Sequence, residues 1–281
     1  MSKKEYFINP DGVKLFKQLW RPNAQNIRAF VFIIHGLSEN SSFYYEDLVA
    51  KPLNEIGCLV AAHDQVGHGK SEGNRRLLEK IDNLSRDVVA HIELIRKTEN
   101  LSSDIPTFLY GHSMGGLVAT VTAHNYPEII NGMVLESPPL TLDGKIGPWM
   151  KYFALAMSYV IPYYKVGKQY LENLTHNTEV IQVALNDPYR HNEPMTLTTA
   201  VQIGEAIHYL QSVFKEMTTP FLIAHGEHDV IVSIAGSQKL YEESKTKDKS
   251  LLVFKNAYHI IRVDSQEFRE NIVEWIEKHI K

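Results

Sequence analysis

One short segment of the sequence has the residue types and spacing of a serine nucleophile on a tight turn. Residues 111–115 read Gly-His-Ser-Met-Gly, which matches G-x-S-x-G, and they stand between the apolar run Thr107–Tyr110 and the helix-like Leu117–Asn125. In this strand–turn–helix context the serine lies on a strained turn with its hydroxyl exposed, and the flanking glycines let strand and helix approach. The segment therefore predicts nucleophilic attack by Ser113 on an acyl carbonyl.

A serine hydroxyl becomes a strong nucleophile only when a neighbouring base removes its proton. In enzymes with this kind of turn the partners follow the serine in the order acid, then histidine. His259 follows the last apolar run, Leu251–Phe254, and precedes the helix-like Gln266–His279, so we predict that it is the base. His35 precedes the nucleophile and is interpreted as a residue that braces its own loop by hydrogen bonding.

The acid that orients the histidine is expected in the loop after the preceding strand. Asp229 lies in that loop, directly after the apolar run Phe221–Ala224. Its carboxylate would select the imidazole tautomer and stabilise the imidazolium. Glu227 in the same loop and Glu136, which follows an earlier apolar run, remain alternative acids.

Two backbone N–H groups are needed to stabilise the oxyanion that forms on the attacked carbonyl. One is expected from Met114, the residue after the serine, and the other from Leu37 in the loop after the apolar run Phe30–Ile34. Gly36, just before Leu37, lets the backbone turn toward the substrate. Each such donor contributes about 3–4 kcal/mol to stabilisation of the transition state.

Short apolar runs alternate with longer helix-like segments along the chain. This alternation predicts an α/β fold with a mostly parallel central sheet and helices on both faces. Glu5–Ile8 and Val13–Trp20 flank a turn rich in helix and strand breakers, and they predict two antiparallel strands at the edge of that sheet. The helix-like segments between strands include Tyr44–Ile56, Ile81–Thr98 and Ala235–Ser244.

One long interval interrupts this alternation. No strand is predicted between Pro138 and Met217, although helical patterns continue, so residues 138–217 are predicted to be a helical cap inserted into a core of residues 1–137 and 218–281. Within it Trp149–Ile161 is apolar nearly all round but too short to span a bilayer. Two interpretations stay open: a lid helix that lines an acyl tunnel and touches lipid with its outer face, or a helix buried within the cap.

Charge and composition exclude several classes of function. The 281 residues include 29 Lys and Arg and 33 Asp and Glu, a net charge of −4 that gives no electrostatic footprint for nucleic acid. His225 and His228 have the spacing of a metal-ligand pair but lie in the loop that must supply the triad acid, so neither a metal nor another cofactor is expected. The N-terminal residues carry no secretory signal, and a cytoplasmic location is expected.

Four short motifs together resemble the monoacylglycerol lipases and lysophospholipases of the α/β-hydrolase superfamily. They are His35-Gly36, residues 64–71 (DQVGHGKS), residues 111–116 (GHSMGG) and residues 257–259 (AYH). The resemblance covers nearly the whole chain and is weakest in the cap. It implies the α/β-hydrolase fold, cleavage of single-chain acyl esters to fatty acid and glycerol, a small lipid or ester as substrate, and peripheral membrane contact through a cap helix.

The resemblance also bears on recognition of the alcohol part of the substrate. Glu39 retains the family's acidic residue after the oxyanion loop, whereas Arg262 stands where mammalian-type monoacylglycerol lipases carry a second histidine. The family's cap tyrosine upstream of an Asp-Pro pair is missing before Asp187-Pro188. Gly36, Glu39 and Arg262 are therefore the predicted substrate-binding residues.

Other functions on the same scaffold remain open. A lysophospholipase or general carboxylesterase would use the same acyl-enzyme chemistry on a different alcohol. An aminopeptidase or amidase would need acidic residues near the pocket to hold a peptide amine. A binding protein that has lost catalysis is disfavoured, because Ser113, Asp229 and His259 are all retained.

Overall fold

The computed structural model describes residues 5–24, 26–75, 77–142, 148–167, 171–190 and 192–280. Its strands are β1 (Tyr6–Ile8), β2 (Lys14–Trp20), β3 (Ala29–Ile34), β4 (Cys58–His63), β5 (Thr107–His112), β6 (Gly132–Glu136), β7 (Lys165–Val166), β8 (Met195–Thr196), β9 (Phe221–Gly226) and β10 (Lys249–Phe254). Its helices are α1 (Lys51–Glu55), α2 (Ile81–Thr98), α3 (Met114–Asn125), α4 (Pro148–Val160), α5 (Thr178–Asn186), α6 (Leu197–Val213), α7 (Ile234–Glu243), α8 (Ile261–Asp264) and α9 (Gln266–His279).

The central sheet has eight strands in the order β1-β2-β4-β3-β5-β6-β9-β10. The pairs β1–β2 and β2–β4 are antiparallel, and the other neighbours are parallel. Strands β3, β4, β5, β6 and β9 are buried throughout, which is why their sequences read as continuous apolar runs. The predicted sheet, with its antiparallel N-terminal edge, is confirmed.

Helices cover both faces of this sheet, as predicted. One face packs against α2 and α3 through a cluster that includes Ile92 and Leu117, and the other packs against α1 and α9 through a cluster that includes Leu53 and Ile272. Helices α2 and α9 have the predicted bounds. The predicted helix Tyr44–Ile56 is present as a continuous helical segment, in which a π-helix, Glu46–Ala50, runs directly into α1.

Between β6 and β9 the chain leaves the sheet, and we call residues 138–217 the insertion. Within its described residues lie α4, α5 and α6, together with the two-stranded antiparallel pair β7–β8. The expectation that this interval has no strand is therefore wrong, because strands of two residues are too short to leave a pattern in the sequence. Positions 143–147, 168–170 and 191 of the insertion lie outside the described residues.

Helix α4 packs against α6 but is not buried all round. Ser158 is buried, while Tyr152, Phe153 and Tyr159 are 74%, 60% and 81% exposed. The interpretation of this segment as a helix enclosed by its neighbours is therefore excluded for the side chains that the structure describes. No helix among the described residues is both long and apolar enough to cross a bilayer.

Candidate active site

Ser113 lies on the turn between β5 and α3. Its backbone has φ 51° and ψ −123°, a strained conformation for a residue with a side chain. Gly115 allows this turn, because a Cβ there would lie 2.0 Å from the carbonyl oxygen of Ile34 on β3. The Ser113 N–H donates to the Glu136 carbonyl at 2.8 Å, which ties the turn to β6. The strand–turn–helix geometry predicted from G-x-S-x-G is thus present.

The side chains of Asp229 and His259 meet although they lie on different loops. His259 Nδ1 donates to Asp229 Oδ2 at 2.8 Å, and both side chains are buried. The other carboxylate oxygen of Asp229 accepts the N–H groups of Ile231 and Val232 at 2.9 and 3.0 Å. Burial would raise the pKa of Asp229, but the imidazole of His259 and these hydrogen bonds lower it to about 2. A fixed carboxylate on Nδ1 leaves Nε2 of His259 as the basic nitrogen.

The alternative acids have other environments. Glu136 accepts a hydrogen bond from the Tyr110 hydroxyl at 2.6 Å and is paired with Arg262. Glu227 is exposed. Of the three candidates it is Asp229 that contacts the histidine, and the geometry favours it as the acid.

The imidazole of His259 lies beside the nucleophile turn. Its ring centroid is 5.0 Å from that of His112, the residue that precedes Ser113. Within the part of the chain that the structure describes, neither Ser113 Oγ nor His259 Nε2 makes a hydrogen bond. In enzymes without bound substrate the hydrogen bond between a catalytic serine and its histidine is often long, and it shortens when substrate binds.

The loop after β3 lies directly against the nucleophile. A Cβ on Gly36 would lie 3.3 Å from Ser113 Cβ and 3.0 Å from His112 Nδ1, so only glycine fits comfortably at this close approach. Across the described ranges the N–H groups of Leu37 and Met114 donate to no protein acceptor. Two free donors next to Ser113 are what an oxyanion hole requires.

His35 has the bracing role that was predicted for it. Its Nδ1 donates to the Gly36 carbonyl at 2.8 Å, and its Nε2 accepts from the N–H of Gln65 at 2.9 Å. Burial lowers the pKa of His35, which keeps the ring neutral and allows one nitrogen to donate while the other accepts. The ring thereby fixes the backbone on which Leu37 is carried.

A buried ion-pair network lies beneath this loop. Arg262 donates through Nη1 to Glu136 at 2.7 Å and through Nη2 to Glu39 at 3.1 Å. Glu39 also accepts from the Tyr45 hydroxyl at 2.6 Å and from the Gly36 N–H at 3.0 Å. Burial would raise the pKa of Glu39, yet His112 and Arg262 hold it well below its usual range, so the carboxylate is ionised.

This network contradicts the predicted contact of Glu39 and Arg262 with substrate. The Arg262 side chain is 0% exposed and that of Glu39 only 2%, so neither surface is reachable by a bound molecule. Their hydrogen bonds go to each other and to protein groups instead. Glu39 holds the loop after β3 through the Gly36 N–H, and Arg262 holds Glu39, while Gly36 itself lies next to Ser113.

Sequence reasoning missed His112 as a part of the site. Its Nδ1 lies 3.0 Å from Glu39 Oε2, and its Nε2 lies 3.2 Å from the carbonyl oxygen of His259. The ring thus joins the oxyanion loop to the loop of the predicted base. The only signal in the sequence was its position next to Ser113, which does not reveal partners 73 and 147 residues away.

No group of three or more His, Cys, Asp or Glu side chains suited to a metal ion is found among the residues that the structure describes. The ring nitrogens of His225 are occupied by Ser237 Oγ at 3.1 Å and the Val232 carbonyl at 3.0 Å.

Several known proteins are similar to this chain in sequence, in fold or in both. The family described as serine aminopeptidase S33 matches residues 25–266. The monoglyceride lipases of Homo sapiens and Mus musculus are 31% and 30% identical to the chain, over 95% of it and over 86% and 87% of their own lengths. The crystal structure of the monoacylglycerol lipase of Paleococcus ferrophilus has a TM-score of 0.80 at 29% identity, covering 94% of this chain and 99% of that one. The chain therefore belongs to the serine aminopeptidase S33 family and is a serine hydrolase with the α/β-hydrolase fold.

Proposed function

We propose that this serine hydrolase is a carboxylic-ester hydrolase of the monoacylglycerol lipase type. It would cleave single-chain acyl esters to a free fatty acid and glycerol or a related alcohol. The observation that carries the proposal is the Asp229–His259 pair beside the strained Ser113 turn and two free N–H groups. The names of the human and mouse relatives supply the substrate class.

Ser113 is the proposed nucleophile. Its Oγ attacks the ester carbonyl carbon while His259 Nε2 takes the hydroxyl proton. Asp229 stabilises the imidazolium that forms and holds the ring in the tautomer with a free Nε2. The hydrogen bonds from the N–H groups of Ile231 and Val232 keep this carboxylate in place.

The carbonyl oxygen becomes an oxyanion in the tetrahedral intermediate, and the N–H groups of Leu37 and Met114 stabilise it. The intermediate collapses when His259 returns the proton to the leaving alcohol oxygen, which breaks the ester bond and leaves an acyl group on Ser113. Water then attacks the acyl-enzyme with the same base, releases the fatty acid and restores the hydroxyl of Ser113.

A substrate panel with a nucleophile variant tests this proposal. The panel contains monoacylglycerols of several chain lengths, lysophospholipids and short soluble esters. We expect Ser113→Ala to lower kcat at least about a thousandfold on every hydrolysed ester. Ser103→Ala, which changes an exposed serine, serves as the matched control and retains wild-type kcat. Ester hydrolysis that survives in Ser113→Ala at the wild-type rate would refute the assignment.

The family description makes an aminopeptidase the second candidate. Such an enzyme needs a free carboxylate near the nucleophile to bind the substrate's ammonium group. The two carboxylates described beneath the nucleophile, Glu39 and Glu136, are buried and paired with Arg262, which favours an ester substrate. Aminoacyl p-nitroanilides in the same panel decide between the two, since an aminopeptidase would cleave them faster than the esters.

The exposed side of α4 supports a role for the insertion as a cap that meets membranes. Tyr152, Phe153, Tyr159 and Val160 are all largely exposed on this helix, and Tyr163 and Tyr164 follow it closely. Exposed aromatic side chains on a short helix are typical of segments that lie in the membrane interface. We propose that residues 138–217 form the cap and that α4 gives it reversible contact with lipid.

Vesicle flotation tests this contact. We expect the inactive Ser113→Ala protein to float with phosphatidylcholine vesicles. Adding Phe153→Asp and Tyr159→Asp removes two side chains whose burial is worth about 1.5–3 kcal/mol each, so vesicle affinity falls by about a hundredfold or more. Val253→Asp changes an exposed valine outside the insertion and is the matched control. Equal flotation of all variants, or none by Ser113→Ala, would refute the membrane role.

A further inference from the structure

The loop that carries His259 is hydrogen-bonded to the insertion on both sides of the histidine, directly on one side and through Asp264 on the other. After the histidine, the N–H of Ile260 donates to the Leu174 carbonyl at 2.8 Å. Before it, the N–H of Tyr258 donates to Asp264 Oδ2 at 3.0 Å. The other oxygen of Asp264 accepts the hydroxyl of Thr175, the residue next to Leu174.

The contact between Thr175 and Asp264, which we call the seam, is buried. The side chain of Asp264 and the whole of Thr175 are each only 1% exposed, and Leu174 packs into the core cluster on the α9 side of the sheet. A buried donor or acceptor that loses its partner is left neither solvated nor hydrogen-bonded, so these hydrogen bonds restrain the two segments relative to each other.

Thr175 is itself held from the side of the insertion. Its Oγ accepts the N–H of Asn177 at 3.0 Å, and the Asn177 side chain caps the start of α5 by accepting from Glu179 and Val180. The hydroxyl of Thr175 therefore links the first turn of α5 to Asp264. A displacement of α5 would be transmitted to the carboxylate that fixes Tyr258.

We propose that Thr175 and Asp264 are positioning residues for His259, so that the placement of the insertion is part of assembling the active site. The inference rests on the proposed function, in which His259 is the base for Ser113. Neither residue touches the reacting atoms. They act by fixing the backbone before the histidine, at Tyr258, while the carbonyl of Leu174, next to Thr175, holds Ile260 after it; together these contacts set the direction of the imidazole.

Loss of this restraint is expected to affect the chemical step more than substrate binding. A misplacement of a catalytic group by about 1 Å costs about a hundredfold in rate, because the group no longer reaches the near-attack geometry. The contacts lie behind His259, in a seam of nearly inaccessible side chains, so they leave the substrate-binding surface unchanged. A structural role without positioning would instead lower the melting temperature and leave kcat intact.

The experiment compares Thr175→Val, which removes the hydroxyl at nearly constant shape, with Thr175→Ser, which keeps it. The substrate is p-nitrophenyl acetate, a soluble ester that needs no lipid surface. For Thr175→Val we expect kcat to fall about ten- to a hundredfold while KM stays within about twofold. Thr175→Ser retains at least about half of the wild-type kcat. Asp264→Asn should resemble Thr175→Val.

Thr198→Val is the matched control, because it removes another hydroxyl within the insertion, one whose partners among the described residues are the Ser158 and Pro162 carbonyls. It should retain the wild-type kcat. All variants are first shown to be folded by circular dichroism, and if Thr175→Val does not fold, Asp264→Asn takes its place in the comparison.

The outcomes separate this inference from the proposed function. A folded Thr175→Val protein with wild-type kcat, or a loss that Thr175→Ser shares equally, overturns the positioning role even when Ser113→Ala is inactive. A loss confined to KM overturns it as well. If Ser113→Ala itself keeps full activity, the proposed function fails first.

Discussion

Replacement of Arg262 by methionine tests whether this residue supports the site from within the core. The guanidinium is fully buried between Glu136 at 2.7 Å and Glu39 at 3.1 Å, and it lies 4.2 Å from the centre of the Tyr45 ring. Methionine fills much of the same volume but removes both ion pairs. Glu136 and Glu39 then lose this cation, and Glu39 keeps only the His112 ring, 3.0 Å away, and its neutral hydrogen-bond donors.

Removing one partner of a buried ion pair costs about 3–5 kcal/mol, because the remaining charge is neither solvated nor paired. For a chain of this size each kcal/mol lowers the melting temperature by about 2–4 °C, so we expect Arg262→Met to melt roughly 10 °C below the wild type. Arg21→Met is the matched control, since Arg21 pairs with Glu99 at 2.6 Å on the surface. An exposed pair is screened by solvent, and its loss should cost at most about 1 kcal/mol.

The pH dependence of the loss adds a second readout. In the wild type Arg262 and, to a smaller extent, His112 and the Tyr110 hydroxyl lower the pKa of Glu136 against burial; once the Arg262 charge is removed, we expect burial to raise this pKa above its value in the unfolded chain. The variant therefore gains protons on folding in acid, and the difference in melting temperature should be smaller at pH 5 than at pH 8. Thermal melts followed by circular dichroism at both pH values measure this.

A role of Arg262 in substrate binding would give a different pattern of effects. If Arg262 contacts the substrate, as its sequence position suggested, Arg262→Met should raise KM and leave the melting temperature near that of Arg21→Met. A difference in melting temperature that does not shrink in acid would show that the buried carboxylates are not the source of the loss.

Three further predictions follow from single contacts. Gly115→Ala should abolish soluble expression or ester hydrolysis, because the added Cβ meets the Ile34 carbonyl at 2.0 Å; an active, folded variant would contradict this. Asp229→Asn should lower kcat about ten-thousandfold with the fold intact, and a kcat within tenfold of wild type would argue against its role. Burial lowers the pKa of His63 to about 3 and also lowers that of His91. Both bind protons near pH 6.5 only when unfolded, so the urea midpoint should fall between pH 7 and pH 4.5, and equal midpoints would count against this.

Local patterns in the sequence predicted the strands and helices of the core and the candidate catalytic residues. Helices α2 and α9 begin and end where their periodicity predicted, and the nucleophile turn follows from five adjacent residues. The order of serine, acid and histidine along the chain also predicted His259 and favoured Asp229 over Glu227 and Glu136, because each follows its own strand of a parallel sheet. These features depend on residues that are close together in the sequence, so they can be predicted from it.

The tertiary structure decided which charges meet and which surfaces face solvent. Arg262 pairs with Glu39 and Glu136 across 223 and 126 residues, so its burial could not be read from its own segment. In the same way, β7 and β8 pair because the fold of the insertion brings two short segments together. Helix α4 packs against α6 on one side and exposes aromatic side chains on the other. Such outcomes depend on long-range packing, in which the energy of a residue is set by partners that its local sequence does not specify.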